Sequence, residues 1–318
     1  MIRRTLLAVL YLACSVAGAD PPSTRTHEVI ALVGGAQLVA AAELGYLEAL
    51  LAVRDQGNGP RVRDLSWEGD TVFARPRSVN FPSLTHLLVR VGATAVVLQF
   101  GQMESLSGRG GVEEFSSAYE TLLNSVREVV PQVVLLTPPP FAPAGPIEGP
   151  LAKSRNQDLA LYVAEIQRLG TQLNLPVIDV FRGLEPSLTG PIELTTDGVQ
   201  LTERGQRLMA QWVALYDLRS RSVLPAFPDN SGILNQTTFE PVRQAVIAKN
   251  RLWVRYWRPT NWAFLAGDRT EQMSSRDHRD RNIRWFPQEM EEYVPLLAAA
   301  DAEIAQRAKA AGKPETTR

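Results

Sequence analysis

Cysteine is nearly missing from this chain. The only one in 318 residues is Cys14, which excludes an internal disulfide and a cysteine-based metal centre. A surplus of charge is missing too: 33 Lys or Arg stand against 34 Asp or Glu, a net charge of -1. Without a global basic field there is no drive toward a phosphate backbone, and nucleic acid is not expected as a partner. Beyond the first 19 residues, no apolar run approaches the roughly 20 residues that cross a bilayer, so no membrane span is expected in the mature chain. No motif calls for a cofactor or a metal.

What is present suits a packed globular body. Hydrophobic residues make up 45% and charged residues 21% of the chain, which is inside the globular range. The length fits one large domain or two smaller ones. At the N-terminus, Met1-Ile2-Arg3-Arg4 is a basic start, Leu6 to Val16 is a short apolar run, and Ala17-Gly18-Ala19 is a small-x-small cleavage site. Together they predict a signal peptide over residues 1–19, and a protein secreted or released to the periplasm. Tyr11-Leu12-Ala13-Cys14 is a poor site for lipidation.

Apolar runs at Glu28–Val33, Val62–Leu65, Thr94–Phe100, Gln132–Thr137 and Pro176–Asp179 read as strands. Helical periodicity fills Ala36–Val53, Ser83–Val91, Val112–Val129, Leu151–Leu173 and Thr202–Leu218. Strands that are apolar along their whole length, alternating with helices, predict a three-layer αβα sandwich around a five-stranded parallel sheet. Ligands of such sheets bind beyond the strands' C-terminal ends. There the sequence places Gly34-Gly35-Ala36, Ser66-Trp67-Glu68-Gly69-Asp70, Gly101-Gln102-Met103-Glu104 and Asp197-Gly198-Val199-Gln200. Thr137-Pro138-Pro139-Pro140 opens a Pro- and Gly-rich loop that serves as a rim or a lid.

In order and placement these segments resemble the four sequence blocks of the SGNH/GDSL hydrolase superfamily, in particular its secreted, planctomycete-like members. The resemblance covers Glu28 to Leu218 and implies a flavodoxin-like sheet. Asp64 to Thr71 resembles the glycine block, with Gly69 as an oxyanion-hole residue, and Arg75 to Phe81 is typical of the secreted relatives. Asp197 matches the family's retained acid. Ala36 stands where the family has its nucleophilic serine, Met103 where it has asparagine, and Gln200 where it has histidine. A methyl group cannot attack a carbonyl, a thioether donates no hydrogen bond to an oxyanion, and an amide takes up no proton at neutral pH. The resemblance therefore implies an ester-hydrolase lineage of the acylated-carbohydrate class whose Ser-His-Asp mechanism is lost.

Substitutes for the missing groups are few. Ser66 and Ser105 flank the site without a histidine nearby in sequence. His27 precedes the first strand, His86 lies on a helix, and His278 sits far downstream. Glu68, Asp70, Glu104 and Asp197 follow strand ends and could form an acid-base pair or a hard-metal site, or could instead cap helices and pair with Arg75 and Arg77. Gly35, Trp67, Glu68, Asp70 and Glu104 are the expected binding residues.

Residues 20–219 are expected to form the hydrolase-like domain and 220–318 a helical extension packed on it. Lys249 to Arg284 carries nine Lys or Arg against four Asp or Glu, with Trp253, Trp257, Trp262 and Trp285 in or beside it. By resemblance, Asn261 to Arg269 marks this extension as part of the same unit. Trp253 and Trp257 share a helix face and suit packing; a groove for an anionic or acylated polysaccharide is the functional alternative. Three roles are open at this point: a binding protein without catalysis, a hydrolase with a non-standard site, or a structural partner in an exported complex.

Overall fold

The computed structural model describes residues 28–189, 193–217, 222–223 and 236–312. The expected signal peptide, Cys14, His27 and the last residues of the polar tail lie outside them. Five parallel strands form one sheet: β1 (Val29–Gly34), β2 (Arg61–Asp64), β3 (Ala95–Gln99), β4 (Gln132–Leu136) and β5 (Val177–Ile178). Their order is β2-β1-β3-β4-β5, the flavodoxin-like arrangement. Side chains alternate across the pleat, so Ile30 and Leu32 enter one hydrophobic cluster while Ala31 and Val33 enter another. Both faces are covered, which explains why the strands read as unbroken apolar runs.

On one face lie α1 (Ala36–Leu44), α2 (Tyr46–Arg54), α6 (Val180–Leu184) and α7 (Glu203–Ala214); on the other, α3 (Leu84–Arg90), α4 (Val112–Arg127) and α5 (Gly149–Leu173). Thr202 caps α7 by accepting from the Gly205 N–H at 3.1 Å. The expected single helix over Ala36–Val53 is two. Gly45 adopts φ +71° between α1 and α2, which bend by 57°. Among the described residues no single helix is long and apolar enough to cross a membrane, and this bent pair, which has the composition, is buried in the core. The helix expected to run to Leu218 stops at Ala214 and gives way to a small hairpin of β6 (Tyr216–Asp217) and β7 (Ser222–Val223).

The C-terminal part contributes α8 (Gln236–Trp257), α9 (Trp262–Leu265) and α10 (Trp285–Ala311). The first and last wrap the sheet's open edge. Arg61 and Leu65 donate their N–H groups inward to β1, so the intervening Val62 and Asp64 turn theirs outward. The Val62 carbonyl accepts from Lys249 Nζ at 2.9 Å and the Asp64 carbonyl from Trp253 Nε1 at 2.6 Å. An edge that would otherwise offer a template for pairing is thus closed by side chains. Trp253 and Trp257 are buried against the sheet's second face, the packing role that their four-residue spacing suggests.

Asp64, at the end of this edge strand, is buried, and burial pushes its carboxyl up to about 7 against the hydrogen bonds of Ser66 and the attraction of Arg258 and Lys249. The folded state therefore holds this proton more tightly than the unfolded chain. Its contribution to stability is largest below the unfolded value near 4 and declines as pH rises to about 7, where the folded carboxyl also ionises. Asp64→Asn keeps an acceptor for the Ser66 N–H and cannot ionise. Thermal unfolding should show the variant gaining on the wild type between pH 4 and 7, then holding a constant margin; identical pH profiles would refute the assignment.

Candidate active-site cleft

The sheet order reverses between β1 and β3, and the cleft opens there. β1 and β3 approach closely at this point: a Cβ on Gly34 would fall 2.6 Å from the Gln99 carbonyl oxygen. Gly35 and Ala36 lead from β1 into α1, Gln99 to Glu104 follow β3, and Pro138 and Pro139 follow β4. Glu68, Asp70, Gln37 and Gln200 complete a cleft of about 190 Å³.

Of the five residues on which the four sequence blocks rest, Ala36, Met103 and Gln200 line this cleft. Met103 is 50% exposed on its rim. Asp197 stands behind it, accepting from the N–H groups of Val199 and Gln200 at 2.9 and 2.7 Å. Gly69 does not line the cleft, although its neighbours on both sides do.

The sequence model of the GDSL-like lipase/acylhydrolase family matches residues 33–208, more than half of the chain. The chain belongs to this family. Among solved structures it is similar to LAE5, an alpha/beta hydrolase from the metagenome of Lake Arreo, at 15% identity and a TM-score of 0.46, over 58% of this chain and 93% of that one. It is similar to the lipase/acylhydrolase of Enterococcus faecalis at 22% identity and 0.42, over 59% and 93%. The acetyl xylan esterase AlAXEase follows at 17% and 0.45, over 58% and 97%. A search of curated protein sequences finds no match.

The three carboxylates that line this GDSL-family cleft are engaged. Glu68 pairs with Arg258 at 2.9 Å; burial works to raise its carboxyl, and the Arg258 bond, a backbone N–H and the Arg258 charge together outweigh that and hold it low. Asp70 receives both terminal nitrogens of Arg77 at 2.6 Å. Glu104 accepts from the N–H groups of Val72 and Gly101 at 2.9 and 2.8 Å, and burial raises its carboxyl. These carboxylates, expected as binding residues, line the cleft yet latch its loops together. Trp67, also expected to bind, is absent from the lining. It sits behind the cleft, edge-on to Phe81 and Trp257, with the guanidiniums of Arg258 and Arg77 over its ring at 3.9 and 4.3 Å. Its hydrophobic bulk and π-face are used in packing the extension.

Among the described residues no serine, threonine, cysteine or histidine lines the cleft. Ser66 is fully buried, and Ser105 donates to the Gln102 carbonyl at 2.6 Å. His86 and His278 are exposed and line no part of the cleft. Among the described residues no three His, Cys, Asp or Glu side chains gather as a metal site requires.

The sequence reading missed a set of buried glutamines. Gln37 Nε2 donates to Gln102 Oε1 at 3.1 Å and to the Val199 carbonyl at 2.6 Å. Gln102 Nε2 reaches the Pro139 carbonyl at 3.1 Å, and Gln206 Nε2 reaches the Gln37 carbonyl at 3.1 Å. Amides thus tie together the loops after β1, β3 and β4 and the Thr195–Leu201 turn. The Pro-rich loop after β4 is a rim rather than a lid: Asn156 clamps the Phe141 N–H and carbonyl at 2.8 Å, and Ala142 donates to Gly198. Gln99 is 5% exposed, and its Oε1 has no hydrogen-bond partner. A glutamine closing an apolar strand at the sheet's C-terminal edge was the available signal.

Proposed function

We propose that this GDSL-family protein binds an acylated carbohydrate in its cleft and does not cleave it. The observation that carries this reading is the lining itself: Ala36 and Gln200 face the same cleft, and its three carboxylates are committed to Arg258, Arg77 and backbone N–H groups. Nothing there attacks an acyl carbon or accepts the proton of a hydroxyl. Binding is better served. The volume suits one acyl group or ring, since a cavity of about 150 Å³ accommodates benzene.

Export fits the basic start and apolar run of residues 1–19, with residues 20–219 as the binding domain and 220–318 as its extension. N-terminal sequencing of the secreted protein checks the cleavage after Ala19. Calorimetric titration with acetylated xylo-oligosaccharides tests the cleft. Wild-type protein should bind them without releasing acetate. Absence of binding, or binding accompanied by release of acetate, would contradict the reading.

A further inference from the structure

A second cavity lies away from the cleft, between the β2 edge and the C-terminal helices. It measures about 220 Å³. Phe81, Trp253, Tyr256, Trp257 and Trp262 give it aromatic walls, and Leu65, Leu87, Val91 and Leu297 fill in between them. Three guanidiniums, those of Arg61, Arg63 and Arg90, meet it, against the single carboxylate of Asp301.

The three cations are not equivalent. Arg63 is bidentate to Asp301, with its Nη1 at 3.1 Å from Oδ1. Arg90 donates to the Tyr256 hydroxyl at 3.0 Å. Arg61 is exposed, and among the described residues its guanidinium has no partner. A second donor is idle as well. Trp257 is 6% exposed, and its indole N–H is buried without an acceptor.

These observations define what fits. The excess positive charge selects an anion, and an arginine fork is matched to a carboxylate. The aromatic and aliphatic walls select a flat apolar body. A sugar ring would leave its hydroxyls facing Leu65, Leu87, Val91 and Leu297 without partners. The volume exceeds the roughly 150 Å³ cavity that holds benzene, leaving room for one ring and a short side chain.

We propose that this cavity binds a small aryl carboxylate, its ring between the aromatic walls and its carboxylate at Arg61. The site is independent of the cleft's reading: Trp67 and its neighbours in the loop after β2 separate the two. The cavity's tryptophans supply the readout.

Titrating the full protein with cinnamate while following tryptophan fluorescence tests the site, with cinnamyl alcohol and glucuronate as comparators. Cinnamate should bind most tightly. Arg61→Ala, a change at an exposed position, should weaken cinnamate about tenfold and leave cinnamyl alcohol unaffected. Equal binding of acid and alcohol would overturn the anionic selection, and preference for glucuronate would overturn the aryl body. Absence of saturable binding by cinnamate, or an Arg61→Ala variant that binds it as the wild type does, would overturn the site.

Discussion

The triple variant Ala36→Ser, Met103→Asn, Gln200→His hydrolyses p-nitrophenyl acetate at least about a hundredfold faster than the wild type, because it returns a nucleophile, an oxyanion donor and a base to positions that share one cleft. A complete triad is worth about a million-fold in kcat, and a grafted one falls short because its supporting hydrogen bonds were not selected for catalysis. Asp197 already stands beside position 200, holding its backbone N–H at 2.7 Å, so it is placed to orient an imidazole there. Adding Asp197→Asn to the triple variant should therefore remove most of the gain. A folded triple variant at background rate would mean that these four segments are not the remains of an ester-hydrolysing site.

The second large effect lies in the seam between the C-terminal helices and the sheet. Lys249 is fully buried, with Nζ 2.7 Å from Glu48 Oε2 and 2.9 Å from the Val62 carbonyl. Burial drives both partners toward their neutral forms, lowering the lysine and raising the glutamate, and their mutual attraction opposes it. Lys249→Met leaves Glu48 without its cation and the Val62 carbonyl with Arg63 as its remaining side-chain donor. Removing one member of a buried pair costs about 3–5 kcal/mol, whereas replacing both by apolar residues is often neutral or better. Urea unfolding should show that loss for Lys249→Met and recovery of most of it in Glu48→Leu, Lys249→Met. A single variant as stable as the wild type would show that α8 is not anchored through this pair.

Sequence periodicity located the five strands because a parallel sheet covered on both faces needs apolar residues at every position. It did not locate the break at Gly45, since one glycine inside a helical pattern is ordinarily tolerated. Contacts distant in the chain were beyond it. Lys249 and Glu48 are 201 residues apart, and Gln37 meets Gln206 across 169. Trp67 looked like a ligand-facing aromatic because the partners that enclose it include Trp257 and Arg258, which belong to the C-terminal helices. Local sequence could place Glu68, Asp70 and Glu104 at the cleft, but not which cations and N–H groups would occupy them.

The central claim is that this cleft binds and does not turn over its ligand. The most direct test is release of acetate from acetylated xylan, and of p-nitrophenolate from p-nitrophenyl acetate, by the purified protein, with Asp197→Asn prepared in parallel to expose a contaminating esterase. The account predicts background rates for both proteins. Turnover by the wild type that disappears in Asp197→Asn would contradict it and place an unrecognised nucleophile or base beside that aspartate.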